Sequence, residues 1–270
     1  MKIWKNTKTI DEFIPDLSIT SNKHEADVAL LGGKKISLDD FSSLKGIFKC
    51  GVGTDNVPFG EAEKRNIKIG LPSEKTAEYI FEETACFACH LCLKMLYSEA
   101  GSIKEWNKVS REFIRNKILL IIGTGKIGKR VAEKMSNFME IKTFDISNNS
   151  LDELTQLIAT ADCISLHIPL TEATRDFIDS KKLAYMKNRS IIINTSRGGI
   201  VNEDALYKEL KNNRIKAAFD VFWKEPYKGK LSTLPNATFS MTPHIASTNK
   251  SFVKYTAEDF RKFLKELNCD

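Results

Sequence analysis

The stretch Leu119-Leu-Ile-Ile-Gly-Thr-Gly-Lys-Ile-Gly-Lys-Arg-Val-Ala132 constrains this chain more than any other. Apolar residues run straight into Gly123, Gly125 and Gly128, and a segment with helical spacing follows at once. The pattern predicts a buried parallel strand, a tight turn, and a helix whose unpaired N–H groups point at a pyrophosphate. Gly123 then permits the turn, Gly125 lets the backbone approach the phosphates, and Gly128 lets the helix pack closely on the strand. A GxGxxG run alone is weak, because glycine-rich turns are common. Here Lys142-Thr-Phe-Asp145 ends the next predicted strand, near the spacing of about twenty residues expected of a ribose-binding acid. A carboxylate there accepts hydrogen bonds from a ribose diol and repels a 2′-phosphate, which predicts NAD rather than NADP. The bland alternative is an ordinary strand–turn–helix with a surface Asp. The strand before, the helix after and the placed acid weigh against it.

The rest of the chain repeats the alternation. Short apolar runs at Lys2–Lys5, Ala26–Leu31, Gly46–Cys50 and Ile67–Gly70 are separated by polar or helical segments such as Ser37–Leu44 and Gly60–Arg65. A long helical pattern covers about Thr76–Tyr97, and a polar stretch with Trp106 follows. Strands are predicted from Ile118, then at Ile141–Asp145, Asp162–Ile168, Ser190–Ser196, Lys216–Phe222 and Ala237–Thr242. Helices fall between most of them, including Asn202–Asn212 with Asn202 as N-cap. Near-continuous apolar strands alternating with helices are the mark of a doubly wound α/β sheet. Ser251–Leu267 reads as an amphipathic helix that can return to the first domain.

Composition narrows the function classes. The 270 residues are 42% hydrophobic and 28% charged, which suits two modest globular domains. The formal charge of +6 is spread over interleaved basic and acidic residues, so no block resembles a nucleic-acid-binding arm. Neither a signal-peptide core nor a membrane-length apolar run is seen, and the expectation is a cytoplasmic protein with reduced cysteines. Cys86-Phe-Ala-Cys89-His90-Leu-Cys92 mimics haem-attachment and iron–sulfur spacing. On a helical segment, cysteines are better explained as small core residues, and no metal site is predicted.

Ligands of open parallel sheets bind at the carboxyl ends of the strands. Predicted strand ends place His167 and Pro169, Arg197, Asp220 with Glu225, and His244 there. Arg197, Glu225 and His244 together are suited to reducing a 2-keto acid. His244 supplies the proton, and Glu225 orients it and raises its basicity. Arg197 pairs with the carboxylate and polarises the carbonyl, helped by the Val52–Gly53 amides. Lys49-Cys-Gly-Val-Gly-Thr-Asp-Asn56 is either such a carboxylate cradle or a tight turn held by Asp55 and Asn56.

These pieces resemble the NAD-dependent D-isomer-specific 2-hydroxyacid dehydrogenases. The matching motifs are Gly51-Val-Gly-Thr-Asp-Asn56, Gly123–Gly128 with Asp145, Leu166-His-Ile-Pro-Leu-Thr171, Asn194-Thr-Ser-Arg-Gly-Gly-Ile-Val201, Asp220-Val-Phe with Glu225-Pro226, and Thr242-Pro-His244. The resemblance implies a Rossmann-type NAD domain, residues 96–246, inserted into a smaller flavodoxin-like substrate domain of residues 1–95 and 247–270. It implies a catalytic set of Arg197, Glu225 and His244. Cofactor contacts are expected from Gly123, Gly125, Lys126, Ile127, Gly128, Asp145, His167, Ile168, Pro169, Thr195, Ser196, Asp220 and Ser247, the resemblance adding Val52 and Arg197, and substrate contacts are expected from Lys49, Val52, Gly53 and Asn56. Family members are usually homodimers paired through the cofactor domain.

Three departures stand out. The region before Gly51 is short. Residues 146–150 leave no room for the family's next helix and outer strand, so that sheet edge is expected to be missing and the adenosine more exposed. Phe81 replaces a small residue before Glu82 and is expected to crowd the site. The Gly-Val-Gly-Thr-Asp-Asn form looks like phosphoglycerate dehydrogenase, with Lys49 placed to meet a phosphate; glyoxylate, hydroxypyruvate and other 2-keto acids stay open. The competing class is an NAD(H)-sensing, corepressor-like binding protein of the same fold.

Overall fold

The computed structural model describes residues 1–99 and 101–268, so Ala100, Cys269 and Asp270, which fall within the expected domain segments, lie outside the described residues. In chain order the elements are β1 (Ile3–Lys5), β2 (Val28–Leu31), β3 (Gly46–Lys49), α1 (Phe59–Lys64), β4 (Lys68–Gly70), α2 (Glu74–Leu96), β5 (Ile118–Ile122), α3 (Lys126–Met135), β6 (Glu140–Phe144), α4 (Leu151–Thr160), β7 (Cys163–Leu166), α5 (Ser180–Tyr185), β8 (Ile191–Asn194), α6 (Glu203–Lys211), β9 (Lys216–Phe219), β10 (Phe239–Met241) and α7 (Lys250–Asn268). The chain divides into two compact units, one of residues 1–80 with 247–270 and one of residues 81–246. The first division therefore falls inside α2, earlier than the expected 95/96.

The smaller unit is a parallel sheet in the order β1-β2-β3-β4. Its cover is thin: within Ser37–Leu44, expected to be polar or helical, the helical element is a 3-10 turn at Leu38–Asp40. α7 supplies the missing apolar surface. Phe48 of β3 lies 5.2 Å from Phe260 and 5.6 Å from Phe263 of that helix, ring centre to ring centre. Each such ring contributes about 1.5–3 kcal/mol by leaving water. The Asp259 carboxylate of α7 accepts from the Ser73 N–H at 2.8 Å and the Thr76 hydroxyl at 2.7 Å. An acid at that position satisfies donors at the start of α2 and suits its positive end.

The larger unit holds a six-stranded parallel sheet in the order β10-β9-β8-β7-β5-β6. Its inner strands β5, β7, β8 and β9 are buried on both faces, and side-chain direction alternates with the pleat. Leu120, Ile122, Ile164, Leu166 and Ile192 join α4, α5 and α6 in one core. Leu119, Ile121, Cys163, Ile191 and Ile193 join the later turns of α2 and α3 in another. On α2 the buried stripe is Ala85, Ala88, Leu91, Cys92 and Met95, a helical spacing. Cys92 and Cys163 are fully buried with their sulfurs 3.8 Å apart. Cys86, expected in the core, is exposed, because it sits on the opposite face of the helix from that stripe.

β6 is an edge strand with Glu140, Lys142 and Thr143 exposed, and among the described residues no strand pairs beyond it, as the short 146–150 segment led us to expect. A capping box joins Ser150 and Glu153 and starts α4 immediately. The strand order reverses between β5 and β7, the topological switch point at which such sheets bind ligands.

Candidate active site

At the carboxyl end of β5 the three glycines differ in what the chain demands of them. Gly123 has φ +96°, and a Cβ there would meet the His167 carbonyl oxygen at 2.5 Å. A Cβ on Gly128 would come within 1.9 Å of the Gly123 carbonyl oxygen, so α3 crosses the strand end only because that residue has no side chain. Gly125 differs. Its φ of −72° suits any residue, and a Cβ would meet nothing within 4 Å. The chain itself does not demand glycine there. The open space lies at the N-terminus of α3, where Gly125 offers no side-chain cap to the first-turn N–H groups. A phosphate approaching closely fits that cradle. Lys126 is exposed and Ile127 half-buried on the same turn.

Asp145 follows β6 directly. Its carboxylate accepts from the Thr124 N–H and hydroxyl, both at 2.9 Å, and from the Ser147 hydroxyl at 2.8 Å and N–H at 3.2 Å. The Thr124 N–H above all, with the other donors, holds its carboxyl far below the usual carboxylate range. His167 borders the glycine turn through its carbonyl, while its Nε2 lies 2.8 Å from the Ser165 hydroxyl. Burial pushes its pKa down to about 4, so this imidazole is neutral near pH 7. An Ile168 methyl stands 2.8 Å from where a Gly123 Cβ would be. Pro169 is exposed, and its carbonyl accepts the Thr174 hydroxyl.

Beyond β8, the turn 195–197 is organised by Asn194, a fully buried residue quoted in the motif but given no role there. Its Oδ1 accepts the Ser196 N–H and its Nδ2 donates to the Arg197 carbonyl, both at 2.9 Å. The Ser196 hydroxyl donates to the Leu166 carbonyl, linking β8 to β7. The Thr195 hydroxyl is buried and, among the described residues, meets no hydrogen-bond partner, a polar group that a bound molecule can satisfy. With the Gly125 cradle, it makes the residues at this switch point fit a dinucleotide.

The acid–base pair is assembled from two further strand ends. Glu225 Oε2 lies 2.8 Å from His244 Nδ1, and Glu225 Oε1 accepts the Phe222 N–H at 3.1 Å. Burial raises the Glu225 carboxyl, but its bond to His244, the Phe222 N–H and the nearby Arg197 charge outweigh that and hold it below its ordinary value. His244 has φ +56°, a conformation side chains seldom adopt. Asp220 explains how it persists. Its fully buried carboxylate accepts the Thr242 hydroxyl at 2.6 Å, the Ile245 N–H at 2.9 Å and the Ala246 N–H at 2.8 Å. Asp220, an expected cofactor contact, thus also holds the segment that carries His244. The Arg197 guanidinium donates to the Ser196 carbonyl at 2.7 Å. Phe81, expected to crowd the site, lies with its ring 5.8 Å from the Arg130 guanidinium of α3.

In the smaller unit, Lys49 and Asn56, two expected substrate contacts, donate to carbonyls of one loop. Lys49 is 5% exposed, and its ammonium donates to the Gly32 carbonyl at 2.5 Å. Asn56, equally buried, donates to the Gly32 and Lys34 carbonyls at 2.8 and 2.9 Å. Val52 and Gly53 are half-buried at the end of β3, and Ser247 opens the returning segment of this unit.

Residues 93–246 match the sequence model of the D-isomer specific 2-hydroxyacid dehydrogenase NAD binding domain. The chain belongs to this family. It is 34% identical to hydroxypyruvate reductase of Thermotoga maritima over 90% of this chain and 85% of that protein. It is also 32% identical to D-3-phosphoglycerate dehydrogenase of Methanocaldococcus jannaschii, over 89% of this chain but 50% of that one, so it spans half the length of that relative. The same fold is seen in D-lactate dehydrogenase of Aquifex aeolicus complexed with NAD and lactic acid, with a TM-score of 0.82, 23% identity and coverage of 99% and 95% of the two chains. The protein is therefore an NAD-dependent dehydrogenase of the D-2-hydroxyacid class. Among the described residues no helix is long and apolar enough to cross a membrane.

Proposed function

We propose that this dehydrogenase interconverts a small D-2-hydroxy acid and its 2-keto acid with His244 as the general acid and base. The 2.8 Å contact between His244 Nδ1 and Glu225 carries that reading. With Nδ1 committed to the carboxylate, the proton moves at Nε2, and Glu225 stabilises the imidazolium that forms when the hydroxy acid is oxidised. Arg197 is the candidate clamp for the substrate carboxylate, a role guanidinium geometry suits. When bound, the nicotinamide supplies and accepts the hydride. Gly125, the α3 N-terminus and Asp145 are the candidate coenzyme contacts in the unit 81–246, with the unit 1–80 and 247–270 as candidate substrate domain.

For the substrate, Lys49 does not support a phosphorylated acid, because its ammonium is buried on the Gly32 carbonyl. A short uncharged tail, as in hydroxypyruvate or glyoxylate, is favoured. NADH oxidation measured across hydroxypyruvate, glyoxylate, pyruvate and 3-phosphohydroxypyruvate tests this. The highest kcat/KM should fall on one of the first two. Preference for the phosphorylated acid would reverse the substrate reading. Turnover on none of them, with NADH-dependent assembly retained, would favour the sensor class.

A further inference from the structure

The connection from β6 to α4 folds back on the acid it follows. The Asn148 and Asn149 N–H groups both donate to the Asp145 carbonyl at 2.9 Å, and the Asp145 N–H donates to Asn149 Oδ1 at 3.0 Å. This turn carries Ser147 onto the carboxylate, where its N–H and hydroxyl share Oδ1. From the glycine turn, the Thr124 N–H and hydroxyl share Oδ2. A carboxylate has about four acceptor positions, and the chain's own donors meet both oxygens twice. A ribose diol on Asp145 needs two of the same positions. The backbone donors stay where the turns put them, whereas the hydroxyls are rotors that can turn away to water.

We infer that the Thr124 and Ser147 hydroxyls compete with the adenosine ribose of NAD(H) for Asp145, so that this chain binds its coenzyme more weakly than an uncontested carboxylate would. The anion is still present to repel a 2′-phosphate, so selectivity against NADPH survives although the gain from the diol is reduced. Ser147 sits on the short β6–α4 connection, two residues after the acid whose carboxylate its N–H and hydroxyl meet. The inference rests on Asp145 being the ribose acid of the proposed function.

NADH and NADPH titrations of the full chain, read by nucleotide fluorescence, test it with Thr124→Val, Ser147→Ala, the double variant and Asp145→Ala. Thr124→Val and Ser147→Ala should each tighten NADH roughly three- to tenfold, the value of a hydrogen bond to a charged acceptor less that of its replacement by water. Thr124→Ser, which keeps the hydroxyl, should return to the wild-type affinity. In the Asp145→Ala background the other substitutions should have no effect on NADH. Ser147 is exposed, so its variant folds, and thermal melts confirm that for the rest. Unchanged or weaker NADH binding by folded Ser147→Ala and Thr124→Val overturns the competition alone. A wild-type chain without NADH affinity overturns both the competition and the coenzyme site beneath it.

Discussion

His244 owes its place to residues that never appear beside it in the chain. Glu225 meets its Nδ1, and Asp220 binds the hydroxyl and N–H groups of Thr242, Ile245 and Ala246 around it. His244→Ala should lower kcat roughly 10²–10⁴-fold while leaving the NADH dissociation constant within twofold; steady-state kinetics beside a fluorescence titration separate the two. Asp220→Asn places an amide donor against N–H groups in a buried site. It should cost about 1–3 kcal/mol in denaturant melts and at least tenfold in kcat. A variant with normal turnover would show that the segment holds His244 without that carboxylate. His167 answers to pH. Its folded pKa, about 4, lies below the ordinary 6.5 because burial disfavours the cation. Between those values the unfolded chain binds a proton that the folded chain does not. Stability should therefore fall as pH drops through that window, by an amount on the order of 1–3 kcal/mol. Melts of His167→Gln should show a flatter profile between pH 6.5 and 4.

The glycine turn shows how much of an element is legible in a motif. All three glycines were assigned roles from spacing, and the coordinates separate them. Gly123 and Gly128 answer to the protein, since Cβ atoms there would strike carbonyl oxygens. Gly125 answers to whatever lies outside. Gly128→Ala should destabilise the chain by about 3 kcal/mol or more, because the obstacle is backbone that cannot rotate away. Gly125→Ala should leave stability within about 0.5 kcal/mol yet weaken NADH roughly tenfold. Paired melts and titrations check both, and equal stability losses would contradict the distinction. Helix ends were legible where a local side chain makes them: Asn202 accepts the Ala205 N–H as the predicted cap of α6. α2 starts at Glu74, ahead of the expected Thr76, with the Ser73 hydroxyl accepting the Thr76 N–H at 3.3 Å and Asp259 of α7 accepting the Ser73 N–H.

At the scale of the whole molecule, one segment of the larger unit stands out. Tyr97, Ile103, Trp106, Val109 and Phe113 are all exposed, with Ile103 at 86% and Trp106 at 81%. Large exposed apolar groups are common at protein-binding surfaces, and we propose on that ground that two copies pair through this unit. Light scattering of the wild type should give twice the chain mass, and Trp106→Glu should give one; a monomeric wild type would end that proposal. The strand set, the parallel sheets and the coenzyme class follow from periodicity and from residues close together in the chain, because strand pleat and glycine conformation are local properties. The fates of Lys49, Asn56, Asp220 and Cys86 were not legible in that way. Spacing brings a side chain to a strand end or a helix face, but its partner is whatever another strand, loop or helix presents there. Buried charges take the nearest donors and acceptors on offer, and only the packed chain decides which those are.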